Sequence, residues 1–372
     1  MRYFSMFSGI GGFEIGIQRA GLLNYEYASI GTESEPQEFS PRGKWPSHQQ
    51  GLLIHNRDRT TPLCVGYSEI DKYAIKVYER HFNGHTNYGD ATAINPAKLP
   101  DFDLLVGGFP CQAFSIAGKR NGFNDTRGTL FFDIARILAE KRPRHLVLEN
   151  VKGLLSHDGG KTFQTILGVL SDLGYRVEWQ VLNSKDFGVP QNRERVYFIG
   201  HLRGECSGEV LPITGTNGKD TRIIGQDVAY AIDANYAKGT NTLEKSRRSV
   251  VRSAATRTRA YAGKPETLEI RKDELSNTIN SVTKDYYATD IVRIRRLTPL
   301  ECERLQGFPD KWTAEGRNKA LCNSSCEKDH IHGIELISDS QRYKMCGNAV
   351  TVNTVEAVMT NLIKHIKEQI DE

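Results

Sequence analysis

Short apolar runs alternate with stretches of helical spacing along the first half of the chain. Residues 3–7, 65–68, 104–107, 146–149, 175–182 and 196–200 each form a run of strand length, rich in aliphatic and aromatic residues and suited to one largely buried strand. Between them, residues 13–20, 72–81, 130–141 and 162–173 place apolar side chains three and four apart, as one face of a helix requires. This alternation predicts βαβ units and therefore an α/β fold on a largely parallel sheet. After about Gly200 the pattern lapses: Gly, Thr, Asn and Arg dominate, and a second, smaller, loop-rich domain is expected. Residues 350–367 recover an amphipathic helical pattern that should return to the first domain.

Composition narrows the class without choosing a function. A chain of 372 residues with 38% hydrophobic and 25% charged residues is ordinary globular material. It has neither a membrane-length apolar run nor a charged-then-apolar leader, so a cytoplasmic location and no membrane association are expected. Seven cysteines make an odd count without a small-domain framework, which predicts reduced thiols. Charge is uneven. Residues 201–296 carry 17 Lys+Arg against 12 Asp+Glu, whereas the rest of the chain carries 32 against 33. Within that region Lys245, Arg247, Arg248, Arg252, Arg257 and Arg259 form an acid-free run interleaved with Ser and Thr. Such a run is either a solvated face or a phosphate-binding surface.

Candidate chemistry falls at the ends of the predicted strands, where open α/β sheets bind ligands. Phe7-Ser8-Gly9-Ile10-Gly11-Gly12 joins the first strand to a helix, and its glycines allow a tight turn and close approach of a ligand. Glu14 stands where a dinucleotide fingerprint would need glycine. Glu69 ends the next strand, suited to a ribose hydroxyl pair, and Asp90 follows near the strand after it, suited to an exocyclic amine. Together these describe a nucleoside pocket without a pyrophosphate clamp, which fits S-adenosyl-L-methionine better than NAD. Cys111 lies just beyond the run Leu104-Leu105-Val106-Gly107-Gly108-Phe109, behind Pro110 and ahead of a basic, glycine-containing stretch. It reads as a nucleophile, which requires the thiolate. Glu149 ends another strand, and Arg193 and Arg195 share a face by alternation.

The chain resembles the DNA (cytosine-5)-methyltransferases. The resemblance rests on blocks in the family's order: Phe7 to Phe13, Gly108-Phe109-Pro110-Cys111-Gln112, Glu149-Asn150-Val151, Gln191-Asn192-Arg193-Glu194-Arg195, Arg296-Leu297-Thr298-Pro299, Gln306-Gly307-Phe308-Pro309 and Gly347-Asn348-Ala349-Val350. It implies a Rossmann-like S-adenosylmethionine-dependent fold with a smaller target-recognition domain, transferring methyl to carbon 5 of a cytosine flipped out of duplex DNA. Residues 1–202 would form the catalytic domain, with an insertion at about 25–64. Residues 203–315 would read the target, 316–340 would be a hinge or insertion, and 341–372 would return to the catalytic domain.

Residue by residue, the resemblance implies that Cys111 adds to carbon 6, Glu149 supplies a proton at N3, Arg195 contacts O2 and Arg193 lies nearby. The cofactor would meet Phe7, Gly9, Ile10, Gly11, Gly12, Glu69, Ile70, Asp90, Ala91, Pro110, Leu130 and Asn348. Ile70 is a departure, since many relatives carry an aromatic there. DNA contacts are expected from Gln112, Ser115, Lys119, Arg127, Arg247, Arg248, Arg252, Arg257 and Arg259. The expected partners are double-stranded DNA and a cognate restriction endonuclease, with the chain acting as a monomer. No metal is expected, although Cys322, Cys326, His330 and His332 stand at short spacing; a solvent-exposed loop is the default for them. Two alternatives are an RNA cytosine methyltransferase and a non-catalytic DNA-binding protein on the same scaffold. Against the first, the chain lacks the Cys-Phe-Thr tripeptide usual in tRNA-acting relatives; against the second, Cys111, Glu149, Arg195 and the glycine turn are all present.

Overall fold

The structure, a computed structural model, describes residues 1–29, 62–110, 130–204, 209–215, 252–256, 268–270, 287–289, 294–318 and 333–371. The main sheet comprises β1 (Arg2–Met6), β2 (Leu63–Ser68), β3 (Leu104–Gly108), β4 (His145–Val151), β5 (Tyr175–Asn183) and β6 (Glu194–Leu202), in the order β2-β1-β3-β4-β6-β5. Pairing is parallel from β2 to β4 and antiparallel through β6 and β5. Four helices alternate with the strands: α1 (Gly12–Ser29), α2 (Lys72–His81), α3 (Leu130–Lys141) and α4 (Lys161–Asp172).

Strand alternation sends side chains to two cores. Phe4, Met6, Leu105, Leu146, Leu148 and Phe198 face α3 and α4, where Phe131, Ile134, Leu138, Ile166 and Leu170 meet them. Tyr3, Leu104, Val106, Val147, Tyr197 and Ile199 face the other way, onto Phe13 and Ile17 of α1 and onto the last helix. Both faces of β1, β3 and β4 are thus covered, which explains their unbroken apolar runs in sequence. β5, at the edge, leaves Trp179 45% exposed.

After β6, residues 209–215 run beside β5. There Glu178 Oε2 accepts from the N–H groups of Val210 and Leu211 at 3.0 and 2.9 Å, and Gln180 exchanges two bonds with Ile213 at 2.8 and 3.0 Å. A separate four-stranded antiparallel sheet follows, from β7 (Arg252–Thr256), β8 (Leu268–Ile270), β9 (Tyr287–Thr289) and β10 (Ile294–Arg296), ordered β10-β9-β7-β8.

The chain then returns through α5 (Pro299–Leu305), the hairpin β11 (Glu315–Arg317) with β12 (Ile334–Leu336), α6 (Asp339–Asn348) and α7 (Val352–Asp371). Thr298 caps α5 in a capping box with Glu301, behind Pro299 at the first helical position. α7 lies along α1 so closely that a Cβ at Gly16 would sit 2.5 Å from Val355 Cγ1.

The expected helices at 72–81 and 130–141 match α2 and α3 to the residue. α1 runs on past the expected end at Ala20. Gly21, about 1 kcal/mol worse than alanine in a helix interior, masks that continuation in sequence. Most of the expected insertion lies outside the described residues. So do Cys322, Cys326, His330 and His332, in the stretch between β11 and β12. No helix of the described residues is long and apolar enough to cross a membrane, and among them no group of His, Cys, Asp and Glu could hold a metal ion.

Candidate active site

The chain crosses from β2 on one side of β1 to β3 on the other, so a crevice opens at the carboxyl ends of β1 and β3. The turn leaving β1 lines it. Phe7 and Gly9 both adopt φ of +55°, and a Cβ at Gly9 would meet nothing within 4 Å. Space therefore lies directly over backbone that only glycine holds without strain. The Gly9 N–H donates to Glu69 Oε2 at 2.8 Å, tying the ends of β1 and β2 together.

Glu69 is fixed from several sides. Its Oε1 accepts from the N–H groups of Ile70 and Asp71, each at 2.8 Å, and Asn87 bonds its backbone N–H and carbonyl at 3.2 and 3.1 Å. One lone pair of Oε2 is left over for a hydroxyl. Ile70 is 70% exposed, an apolar shelf beside that carboxylate. Asp90 Oδ1 accepts from Thr92 N and Oγ1, both at 2.9 Å, which leaves Oδ2 without a partner among the described residues. Ala91, next to it, is buried, while Leu130 opens α3 half-buried.

The base-side groups lie at the ends of β3, β4 and β6. Glu149 is 7% exposed and its Oε1 lies 3.0 Å from Arg195 Nε. Register places Glu149 opposite Tyr197 and Val151 opposite Arg195, so the pair is a diagonal contact on one face of the sheet. The β3–β4 ladder stops at Gly108 and Glu149. Asn150 carries it one step further, donating from Nδ2 to the Phe109 carbonyl at 2.9 Å, just before Pro110.

Arg193 lies apart from that pair. Its guanidinium is 3% exposed and donates to the carbonyls of Ala349 at 2.8 Å and Gly347 at 3.4 Å, with Asn348 exposed between them. Val350, which follows, closes on the first residue of α1 and on the end of β3. A Cβ at Gly12 would stand 2.7 Å from its Cγ2, and one at Gly108 would stand 3.5 Å from its Cγ1. α6 is latched across the crevice by Lys344, whose Nζ lies 2.6 Å from Asp71 Oδ2. Burial tends to raise the Asp71 carboxyl, but Lys344 and the N–H groups of α2 outweigh it and hold it below the usual carboxylate range.

Those contacts bring together the far-separated blocks from Phe7 to Val350. A model of the C-5 cytosine-specific DNA methylase family matches residues 55–364. The chain belongs to this family. Among its relatives, the type II methyltransferase M.NgoBI of Neisseria gonorrhoeae is 33% identical over 362 residues, covering 95% of this chain and 90% of the relative. M.HhaI of Haemophilus parahaemolyticus is 35% identical over 311 residues, covering 80% and 87%. In fold, the chain is similar to the solved Dnmt2 methyltransferase of S. pombe, with a TM-score of 0.56 at 17% identity and full coverage of both chains. This methylase is therefore an enzyme that methylates carbon 5 of cytosine in DNA, on a mixed α/β methyltransferase fold.

Other expected residues of the methylase fall outside this geometry. Cys111, Gln112, Ser115, Lys119 and Arg127 lie outside the described residues, as do Arg247, Arg248, Arg257 and Arg259; Arg252 opens β7. Several positioning residues went unread in the sequence: Asn87, Asn150 and the buried set of Gln191, Gln306, Thr351 and Ser184. Gln191 Nε2 donates to the Leu305 carbonyl at 2.7 Å, Gln306 Nε2 to the Cys346 carbonyl at 2.7 Å, and Thr351 Oγ1 to Gln306 Oε1 at 2.8 Å. Asn150, Gln191, Gln306 and Thr351 sit in or beside a block already noted, where the available signal was a polar side chain in an otherwise buried stretch; Asn87 and Ser184 lie outside those blocks.

Proposed function

We propose that S-adenosyl-L-methionine is the methyl donor of this methylase, bound in the crevice between β1 and β3, and that Cys111, Glu149 and Arg195 act on the flipped cytosine. Supporting the donor site are the open space over Gly9, the spare acceptor positions on Glu69 and Asp90, and the apolar shelf of Ile70. Phe7, Ile10, Gly11, Gly12, Ala91, Pro110, Leu130 and Asn348 complete the proposed lining. Bound there, the cofactor supplies an electrophilic methyl group.

The chain's own residues make carbon 5 able to accept that methyl. The Cys111 thiolate forms a bond to carbon 6, and the electron pair displaced from the ring settles toward N3, where Glu149 delivers a proton. Carbon 5 becomes enamine-like. After methylation a base takes the carbon 5 proton, the carbon–sulfur bond breaks to release the Cys111 thiolate, and Glu149 takes back the N3 proton as the aromatic ring is restored. The observation that carries this assignment is the Glu149–Arg195 pair at 3.0 Å, on the strand end beside the one that leads into Pro110 and Cys111. Arg195 holds the acid in place and keeps a cation near the cytosine O2. Arg193, buried on carbonyls, supports the site at one remove.

Residues 203–315 are proposed to choose the target sequence, with Gln112, Ser115, Lys119, Arg127 and the arginine-rich run contacting DNA. Relatives such as M1.ScrFI and M.HhaI are type II methyltransferases, while those of Bacillus phages SPR and rho11s are orphan methyltransferases; a cognate restriction endonuclease and action as a monomer belong to the same proposal.

The test uses a PCR duplex in which 5-fluorocytosine replaces cytosine, so that every target is present whatever its sequence. Fluorine cannot leave as a cation, and the reaction should stop at the adduct. A denaturation-resistant protein–DNA species should form only with S-adenosylmethionine and disappear in Cys111→Ala. Trapping that survives the substitution, or that maps by peptide mass to another cysteine, would overturn the assignment.

A further inference from the structure

Resting on the reading that the crevice binds the methyl donor, we infer that Arg193 is a positioning residue that couples donor binding to the base side of the site. The strand end that carries it is pinned by its backbone: the Arg193 N–H donates to Asn183 Oδ1 at 3.0 Å, and its carbonyl accepts from the Ser184 N–H at 3.0 Å. From that fixed point the guanidinium reaches the carbonyls on either side of Asn348, at 2.8 and 3.4 Å. Two residues along the same strand end, Arg195 holds Glu149. One short segment, Arg193 to Arg195, thus touches both the loop over the donor crevice and the acid at the base side.

The contact is stiff in both directions. The loop cannot yield toward the sheet, because Val350 already abuts Gly12 and Gly108 at distances that would not admit a Cβ at Gly12. It cannot lift away without stripping Arg193 from carbonyls buried with it, and a buried carbonyl left without a donor is costly. Any shift of residues 347–350 around a bound nucleoside is therefore carried into the strand end, and any shift of Arg195 toward a base is carried back. Coupling between two ligands is reciprocal, so either can report it. Arginine suits this task where lysine would not: its planar fork spans two acceptors, whereas an ammonium is a point donor on a flexible stem.

The test is calorimetric titration of S-adenosylhomocysteine into the full-length enzyme, with and without a duplex carrying a target mapped beforehand by bisulfite sequencing. For the wild type, the duplex should tighten binding by about fivefold or more, the usual scale of coupling between sites. Arg193→Lys should bring the ratio to within about twofold of one while still binding S-adenosylhomocysteine alone. Should Arg193→Lys fail to fold, Val350→Ala removes the abutment at the other end of the same strut and should collapse the ratio likewise. A general loss of stability would weaken both titrations together and leave the ratio standing, which would overturn the inference. So would a wild-type ratio of one, or a full ratio in the variants. A wild-type chain that binds no S-adenosylhomocysteine would sink the methyl-donor reading and this inference with it.

Discussion

Glu14 offers a quantitative test of the packing beneath the donor crevice. It lies in the first turn of α1, fully buried, with Oε1 accepting from Tyr78 Oη at 3.1 Å and Oε2 without a partner among the described residues. Burial pushes its carboxyl up from 4.5 to about 7, against hydrogen bonds from Ser5, its own backbone and Tyr78 that pull it down. Between those two values the unfolded chain has lost the proton while the folded chain retains it. Folding stability should therefore fall as pH rises through this window, by about 1.4 kcal/mol per pH unit. The full cost, present above pH 7, is about 3 kcal/mol.

Glu14→Gln removes the titration while keeping an acceptor for Tyr78. The amide also introduces two donors, so the absolute stability of the variant mixes lost titration with new hydrogen bonding. Its pH dependence isolates the titration. In urea unfolding from pH 5 to pH 8, the stability difference, variant minus wild type, should climb by about 2.5 kcal/mol toward alkaline pH. Other titrating groups are common to both proteins and cancel, apart from His85, which shares Tyr78 Oη at 3.0 Å. A difference that stays flat, or that climbs with acid, would refute the burial argument.

Two further outcomes follow from the same reasoning. His145 and His201 face each other through Nδ1 atoms 2.9 Å apart, and burial holds them down to about 4 and about 3. The folded chain keeps both neutral down to about pH 4 while the unfolded chain protonates them below 6.5, so stability should drop as pH falls from 6.5 toward 4, and His201→Asn should flatten that acid limb in urea unfolding; an unchanged limb would contradict it. Gly12→Ala would drive a Cβ to 2.7 Å from Val350 Cγ2 and 3.3 Å from its carbonyl, so about 1–3 kcal/mol of stability should be lost together with S-adenosylhomocysteine affinity. Full affinity in a calorimetric titration would show that residues 347–350 do not line the site.

Much of the fold was legible because its central strands are buried on both faces and so announce themselves as unbroken apolar runs. Glu69 and Glu149 were legible as carboxylates at the ends of apolar strand runs, which is where the structure has them. Arg193 shows the limit. Alternation correctly gave it the parity of Arg195, but parity says nothing about what lies opposite, and the facing carbonyls come from residues 347 and 349, far along the chain. The same holds for Asn150, whose partner carbonyl becomes available only because β3 ends at Gly108 and Pro110 has no N–H to continue the ladder.

Long-range closure also explains how the fold tolerates the long excursion between β6 and α5. The segment leaving β6 is pinned to β5 by Glu178 and Gln180 before residue 216, and the returning segment is pinned by Gln191 on the Leu305 carbonyl and by Gln306 on Cys346 and Val352. Glu303, buried with Arg342 Nη2 3.1 Å from its Oε1, fixes the turn that follows α5. Each clamp uses side chains of the catalytic sheet or of the returning helices. None uses residues 216–296. If residues 203–315 choose the target as proposed, exchange of that stretch should alter which DNA is read without disturbing the approach of Val350 to Gly12 and Gly108. By the same logic, loss of a clamp such as Gln191 should damage the site for every target alike.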